Sequence, residues 1–360
     1  MAQVGDPDYF PAMTRPDFIR ETIALASQTT MHLGGPARYF AECTTVAEIR
    51  SYLEWAATEG LPVQVLGGGS NVLFPDAGYA GLVLKVALRG IEFADATATV
   101  AAGEDWDPFV QQCVARGLAG VECLSGIPGL VGATPIQNVG AYGQEVEDTL
   151  VEVQALDRQN LKEVTFTITE CRFTYRQSRF KAEDRDRYII TSVTYRLYPS
   201  GQPQIHYLEL RRHIGDALDS LAAGPPALTA VRDTVLKLRR SKSMVIDPQD
   251  PNARSVGSFF LNPVIIADAF AAIKQQYPDI PNFPAPEGIK VPAAWLVEQA
   301  GFHKGFNRGG AGISDHHALA LVNRGGTTSE ILALAAEIQD AVEKSFGIRL
   351  EREPVLIEET

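Results

Sequence analysis

Cysteine is scarce in this chain: four residues in 360, Cys43, Cys113, Cys123 and Cys171, with no CxxC pair among them. That pattern supplies neither a cysteine zinc site nor the disulfide framework of a small secreted protein. Positive charge is also short. Lys and Arg number 32 against 44 Asp and Glu, a formal charge of −12, whereas a nucleic-acid binder carries a basic footprint. A small anionic substrate held by a few local cations is not excluded by that balance. Long apolar runs are missing too, since no stretch approaches the roughly 20 residues of a membrane span. The first residues, Met1-Ala-Gln-Val-Gly-Asp-Pro-Asp8, offer acids and a proline where a secretory leader has cations and an apolar run. The expectation is a soluble cytoplasmic protein without a nucleic-acid or membrane partner.

What is present is ordinary globular material. At 45% hydrophobic and 21% charged residues, the chain has too much apolar content for disorder and enough length for two or three cored domains. Residues 1–20, with Pro7, Pro11 and Pro16, read as an irregular lead-in. A strand–helix–strand pattern follows from Phe40 to Gly81. Its helix opens on the capping box Thr45-x-x-Glu48 and presents Val46, Ile49, Leu53 and Ala57 on one face. Strands are predicted at Pro62–Leu66, Gly81–Val86 and Thr97–Ala102, with a helix over about 106–116. Thr149–Leu156, Glu163–Ile168 and Tyr188–Leu197 also alternate as strands. So many strands with so few helices fit a simple doubly wound fold poorly. Beyond a polar link at about 199–204, helices are predicted at 226–240 and 267–276, and strands near Gly257–Asn262 and Ala318–Val322. A last long helix opens on Thr327-x-x-Glu330 and closes at Gly347.

Two glycine-rich loops carry the chemistry. Leu66-Gly-Gly-Gly-Ser-Asn-Val-Leu-Phe74 follows a predicted strand, and glycines let backbone N–H groups approach and cradle phosphate oxygens. It is no Rossmann fingerprint: Val72 stands where the third glycine belongs, and the acid expected near position 87 is missing, Glu92 being nearest. A P-loop fails because no Gly-Lys-Ser/Thr follows. The second loop runs from Ser125 to Gly143, long and glycine-rich enough to be functional. Its apolar residues suit a flat ring, and Thr134, Gln137 and Asn138 offer hydrogen bonds. Together the loops suggest a large nucleotide cofactor with a pyrophosphate and an aromatic head.

At this point several blocks resemble one family. Leu66–Phe74, Ile127-Pro-Gly-x-x-Gly-Ala-x-Pro-Ile-Gln-Asn-x-Gly-Ala-Tyr-Gly143, Cys171-Arg-Phe-x-Tyr-Arg-x-Ser178, Gly257-Ser-Phe-Phe-x-Asn-Pro263 and Leu350-Glu-x-Glu-Pro354 are similar to the UDP-N-acetylenolpyruvoylglucosamine reductases, flavoenzymes of peptidoglycan precursor synthesis. With Thr29–Ala37 before them, the blocks occur in family order over nearly the whole chain. The resemblance implies an α+β protein: a two-subdomain FAD-binding module of the vanillyl-alcohol-oxidase/PCMH type, then a C-terminal α+β substrate-binding domain. The implied divisions are 1–80, 81–203 and 204–353, with the tail 354–360 rejoining the first part. FAD would be held without a covalent bond by Gly67, Gly68, Gly69, Ser70, Asn71, Pro128, Gly129, Gly132, Ala133, Thr134, Gln137, Asn138 and Ile190. NADPH would be the hydride donor, and the oligomeric state, with a monomer as one option, stays open.

The family reaction reduces an enolpyruvyl double bond to give UDP-N-acetylmuramate. Hydride added at the β-carbon leaves charge on the α-carbon, delocalised into the carboxylate. Preorganised positive or proton-donating groups must stabilise that charge, and an acid must quench the carbon. By the resemblance Arg176 and Glu353 stabilise the enolic intermediate and Ser258 donates the proton. Taken blindly, Arg176 is one cation among Arg172, Arg179, Lys181, Arg185 and Arg187, and Glu351 competes with Glu353. Substrate contacts are implied for Tyr207, Lys242, Asn262 and Lys290, while Leu261 departs from relatives that carry lysine there. His316-His317, read as adjacent strand residues facing opposite ways, make no metal site. Covalent flavin attachment through His32 is not expected. Two other readings are an FAD-dependent oxidase of the same superfamily and a nucleotide-sugar-binding protein without catalysis.

Overall fold

The computed structural model describes residues 15–199, 201–215, 218 and 221–358. Most of the predicted lead-in, residues 1–14, lies outside them, as do the last two residues of the tail. Residues 20 onward are not irregular. Arg20–Ala24 pairs antiparallel with Pro36–Cys43, the start of a four-stranded sheet completed by Tyr79–Val86 and Val63–Leu66 in parallel. Helix Val46–Thr58 covers this sheet because Ile49, Tyr52, Leu53, Trp55 and Ala56 share one face, and its capping box forms as Thr45 and Glu48 predict.

A five-stranded antiparallel sheet follows, ordered Glu163–Thr167, Leu150–Asp157, Tyr188–Arg196, Thr97–Ala101 and Ile91–Ala94. Its strands alternate because one face is packed by helix Trp106–Ala115. Trp106, Phe109 and Tyr195 form a buried aromatic cluster there. The mixed and antiparallel sheets make the fold α+β.

The C-terminal part packs two small three-stranded sheets with helices Ala267–Gln276, Ala293–Gln299 and Thr328–Phe346. The last helix buries Ile331, Leu334, Ile338, Val342 and Phe346, and Gly347 ends it in the left-handed region at φ 68°. Three local expectations are corrected. Gly257–Asn262 forms no strand; it lies extended against residues 351–353 through one bridge, Phe260 to Arg352. Helix Leu208–Ile214 was not anticipated, being seven residues long with only Leu210 and Ile214 buried. It packs with helix Pro225–Ser241 on Cys123 and its neighbours in the preceding part of the chain, not on the C-terminal core. His316 and His317 sit in a turn after strand Ala311–Ile313 rather than in a strand.

The end of the chain crosses the molecule. Val355–Leu356 adds in parallel to Val72–Leu73, immediately after the first glycine loop, and Ile357 joins Phe74 and Val83 in a small apolar core. All four cysteines are free and buried, and burial pushes the Cys43 thiol up to about 12, which leaves it unreactive. Among the described residues no helix is long and apolar enough to cross a membrane, and no group of three His, Cys, Asp or Glu could hold a metal ion.

Candidate active site

The two glycine loops meet at the mouth of a cavity of about 500 Å3 between the two sheets and the C-terminal part. Their approach needs glycine: a Cβ on Gly68 would lie 2.8 Å from the Cα of Gly129, which itself has φ 122°. A Cβ on Gly67 would meet only Ala133 and Leu130, at 3.8 and 3.9 Å, so bare backbone faces the cavity there. The N–H groups of Gly67 to Ser70 donate to no acceptor among the described residues. That run of free donors suits diphosphate oxygens, and the deeper apolar wall from Ala102, Ile127, Leu130 and Ile190 suits a ring. The loops and wall therefore fit a flavin dinucleotide.

Of the predicted cofactor residues, Gly67, Gly68, Gly69, Ser70, Asn71, Pro128, Gly129, Gly132, Ala133, Thr134, Gln137 and Ile190 line the cavity, and Asn138 does not. Asn138 is buried, and its amide donates to Glu145 Oε2 at 2.9 Å and to the Thr174 carbonyl at 3.3 Å. The Thr134 hydroxyl donates to the Val131 carbonyl and lies 2.8 Å from the Tyr195 hydroxyl. Gln137 accepts from Asn71 at 2.8 Å and donates to Glu353 Oε1 at 3.4 Å.

Arg176, Ser258, Glu353 and Asn262 line the same cavity. Arg176 has φ 56°, a left-handed backbone that a non-glycine residue keeps only where its surroundings enforce it. Its Nη1 donates to the Asn138 carbonyl at 3.2 Å and to Glu145 Oε1 at 3.1 Å, and its Nη2 donates to the Gly140 carbonyl. Nε is left facing Glu353 Oε1 at 3.8 Å. A Cβ on Gly140 would lie 2.8 Å from Nη1, so glycine makes room for the guanidinium. Glu353 enters beside Ser258 because its N–H donates to the carbonyl of Phe259 at 2.9 Å. Burial holds the Glu353 carboxyl above the usual range against the pull of Arg176 and Lys181. Glu351 is exposed and off the cavity.

Tyr207, Lys242 and Lys290 do not line the cavity. Lys290 stands 5.1 Å over the Tyr175 ring, which does line it. Lys242 is bound by both oxygens of Glu209 at 3.0 Å, and Tyr207 meets Tyr142 edge-on at 5.5 Å. Asn262 accepts from Ala293 N–H at 2.9 Å, fixing the start of helix Ala293–Gln299.

Sequence reasoning missed Arg239. It lines the cavity while buried, and its Nε has no partner among the described residues. The signal was available: Leu228, Val231, Arg232, Val235, Leu238 and Arg239 follow helical spacing, placing both arginines on the apolar face of helix Pro225–Ser241.

Known proteins agree with this architecture. Residues 37–161 match the FAD binding domain family, and residues 248–357 match the family described as UDP-N-acetylenolpyruvoylglucosamine reductase, C-terminal domain. The UDP-N-acetylenolpyruvoylglucosamine reductase of Thermobifida fusca is 46% identical over 350 residues, covering 93% of this chain and 97% of that protein. That of Streptomyces coelicolor is 45% identical over 345 residues, covering 92% and 88%. The crystal structure of the Thermus caldophilus reductase, at 24% identity, superposes over 95% of this chain and 100% of its own with a TM-score of 0.67, a likeness of fold. With its FAD binding domain and its C-terminal α+β part, the chain belongs to the UDP-N-acetylenolpyruvoylglucosamine reductase family of FAD-binding oxidoreductases.

Proposed function

We propose that the chain reduces the enolpyruvyl group of UDP-N-acetylglucosamine enolpyruvate to UDP-N-acetylmuramate, with NADPH as electron donor, in a cytoplasmic step of peptidoglycan precursor synthesis. The observation that carries this reading is the 3.8 Å approach of Arg176 Nε to Glu353 Oε1 on the wall of the flavin-sized cavity. Bound FAD supplies the two-electron carrier between NADPH and the sugar. The chain's own residues supply charge and protons. Arg176 turns its Nε edge to the carboxylate that gains charge as the double bond is reduced. Glu353, its carboxyl raised by burial, hydrogen-bonds the enolic oxygen. Ser258, half-buried on the segment beside Glu353, delivers the proton to the α-carbon.

The same reading assigns the loops from Gly67 to Asn71 and Pro128 to Asn138, with Ile190, to FAD. Asn138 acts there through its neighbours. Asn262 contacts substrate within the cavity, and Tyr207, Lys242 and Lys290 close on its nucleotide from the rim. The division at 1–80, 81–203 and 204–353, with the tail 354–360 rejoining the first part, belongs to the proposal. The helices between 208 and 241, which this division puts in the substrate part, pack on the preceding one.

An anaerobic spectrum during NADPH addition, then UDP-N-acetylglucosamine enolpyruvate, tests this. Flavin absorbance should bleach and then return. A protein that bleaches but stays reduced on addition of the enolpyruvyl sugar has another substrate. One that oxygen alone reoxidises while it oxidises an alcohol is an oxidase instead.

A further inference from the structure

Arg176 has a second carboxylate neighbour that no reading of the sequence singled out. Glu145 is half-buried at the end of the second glycine loop. Its Oε1 accepts from Arg176 Nη1 at 3.1 Å, and its Oε2 accepts from the Asn138 amide at 2.9 Å. Its own N–H donates to Asp148 at 2.8 Å, which anchors the backbone. The Arg176 side chain is thus surrounded on three sides by acceptors of one loop: the carbonyls of Asn138 and Gly140 and this carboxylate. Asn138 and Arg176 both take positive φ, at 45° and 56°. Two non-glycine residues held in that region, and joined by the bond from Arg176 Nη1 to the Asn138 carbonyl, mark a geometry that the surroundings enforce.

We infer that Glu145 is the positioning residue for Arg176: it holds Nη1 against the loop, where the Gly140 carbonyl takes Nη2, so that the Nε edge alone meets the reacting carboxylate. This rests on the role proposed above for Arg176. A guanidinium rotated by one donor would still be charged and still be near the substrate. It would no longer match the developing charge, and a misplacement of about 1 Å can lower a rate about 100-fold.

E145Q is the first test. A Gln side chain presents one acceptor and one donor, so it cannot accept from both Arg176 and the Asn138 amide in their present orientations. The full-length holoenzyme should keep FAD, be reduced by NADPH within about twofold of wild type, and be reoxidised by UDP-N-acetylglucosamine enolpyruvate about 10- to 100-fold more slowly. The steady-state loss should fall on kcat, with KM for the sugar little changed, because the rim contacts are untouched. E145D, which retains the charge but is one methylene shorter, should be intermediate. Equal slowing of both half-reactions, or wild-type reoxidation, would overturn the inference. So would loss of FAD from both variants, since the residue would then serve the cofactor module and not the arginine. If wild type itself is not reoxidised by the sugar, the proposed function fails first, and the two failures are distinguishable in one cuvette.

Discussion

Glu353 shows what burial does to a single group. Its carboxyl is raised by desolvation, which Arg176 and Lys181 oppose without overcoming. A folded carboxyl with a raised pKa binds its proton more tightly than the unfolded chain does. Between the ordinary value, near 4.5, and the raised one, the native state therefore carries more protons, and stability falls as pH rises through that window. Glu353→Gln should flatten part of that fall, read by denaturant unfolding across a pH series. An unchanged slope would show that Glu353 is ionised in the fold. Legibility at this scale was poor without the family blocks. Arg172, Arg179 and Arg187 pair with the carboxylates of Glu183, Asp184 and Asp157, while Arg176, in the same short stretch, reaches carbonyls over thirty positions away. No local spacing separates the one from the others. Glu145 was invisible for the same reason, because its meaning depends on where Arg176 lies.

Elements with their own signals were easier. The capping boxes at Thr45 and Thr327 satisfy backbone donors locally, so both long helices could be placed to within a residue or two. Gly257–Asn262 misled because its apolar residues are buried by a single bridge to a distant segment rather than by a ladder. Asp76 shows how such distant ties work. Lying in the loop after the first glycine motif, it accepts from the Thr328 and Ser329 N–H groups and the Ser329 hydroxyl at the start of the last helix. Burial would raise its carboxyl, but these donors outweigh it and hold the carboxyl below the usual range. Its contribution is thus present above the unfolded value and lost as pH falls through the folded one. Asp76→Ala should cost about 1 kcal/mol near neutrality, as for a lost helix cap, and should remove that acid-side loss. Equal stability of the variant by thermal unfolding at pH 7 would refute the tie.

Across the whole molecule, the order of parts was legible from the order of the motifs, but the way they close on one another was not. Sheet order and register depend on pairings between segments far apart in the chain, and the most distant is the parallel pairing of Val355–Leu356 with Val72–Leu73. That pairing sits directly after Ser70 and Asn71, whose loop forms the cofactor cradle, and Asn71 accepts from Val355 N–H at 3.0 Å. A chain ending at Glu353 should still fold its two larger sheets yet hold FAD at least about tenfold more weakly, measured by flavin fluorescence on dilution; a tenfold loss corresponds to about 1.4 kcal/mol. Undiminished retention would place the cradle's support elsewhere. The pairing also sets a time order on biogenesis. Until Val355 and Leu356 have been made, the strand beside Asn71 has no partner, however well the upstream sheets have folded. A chain cut short of Val355 therefore leaves an open strand edge beside the cofactor cradle, free to pair with another chain instead.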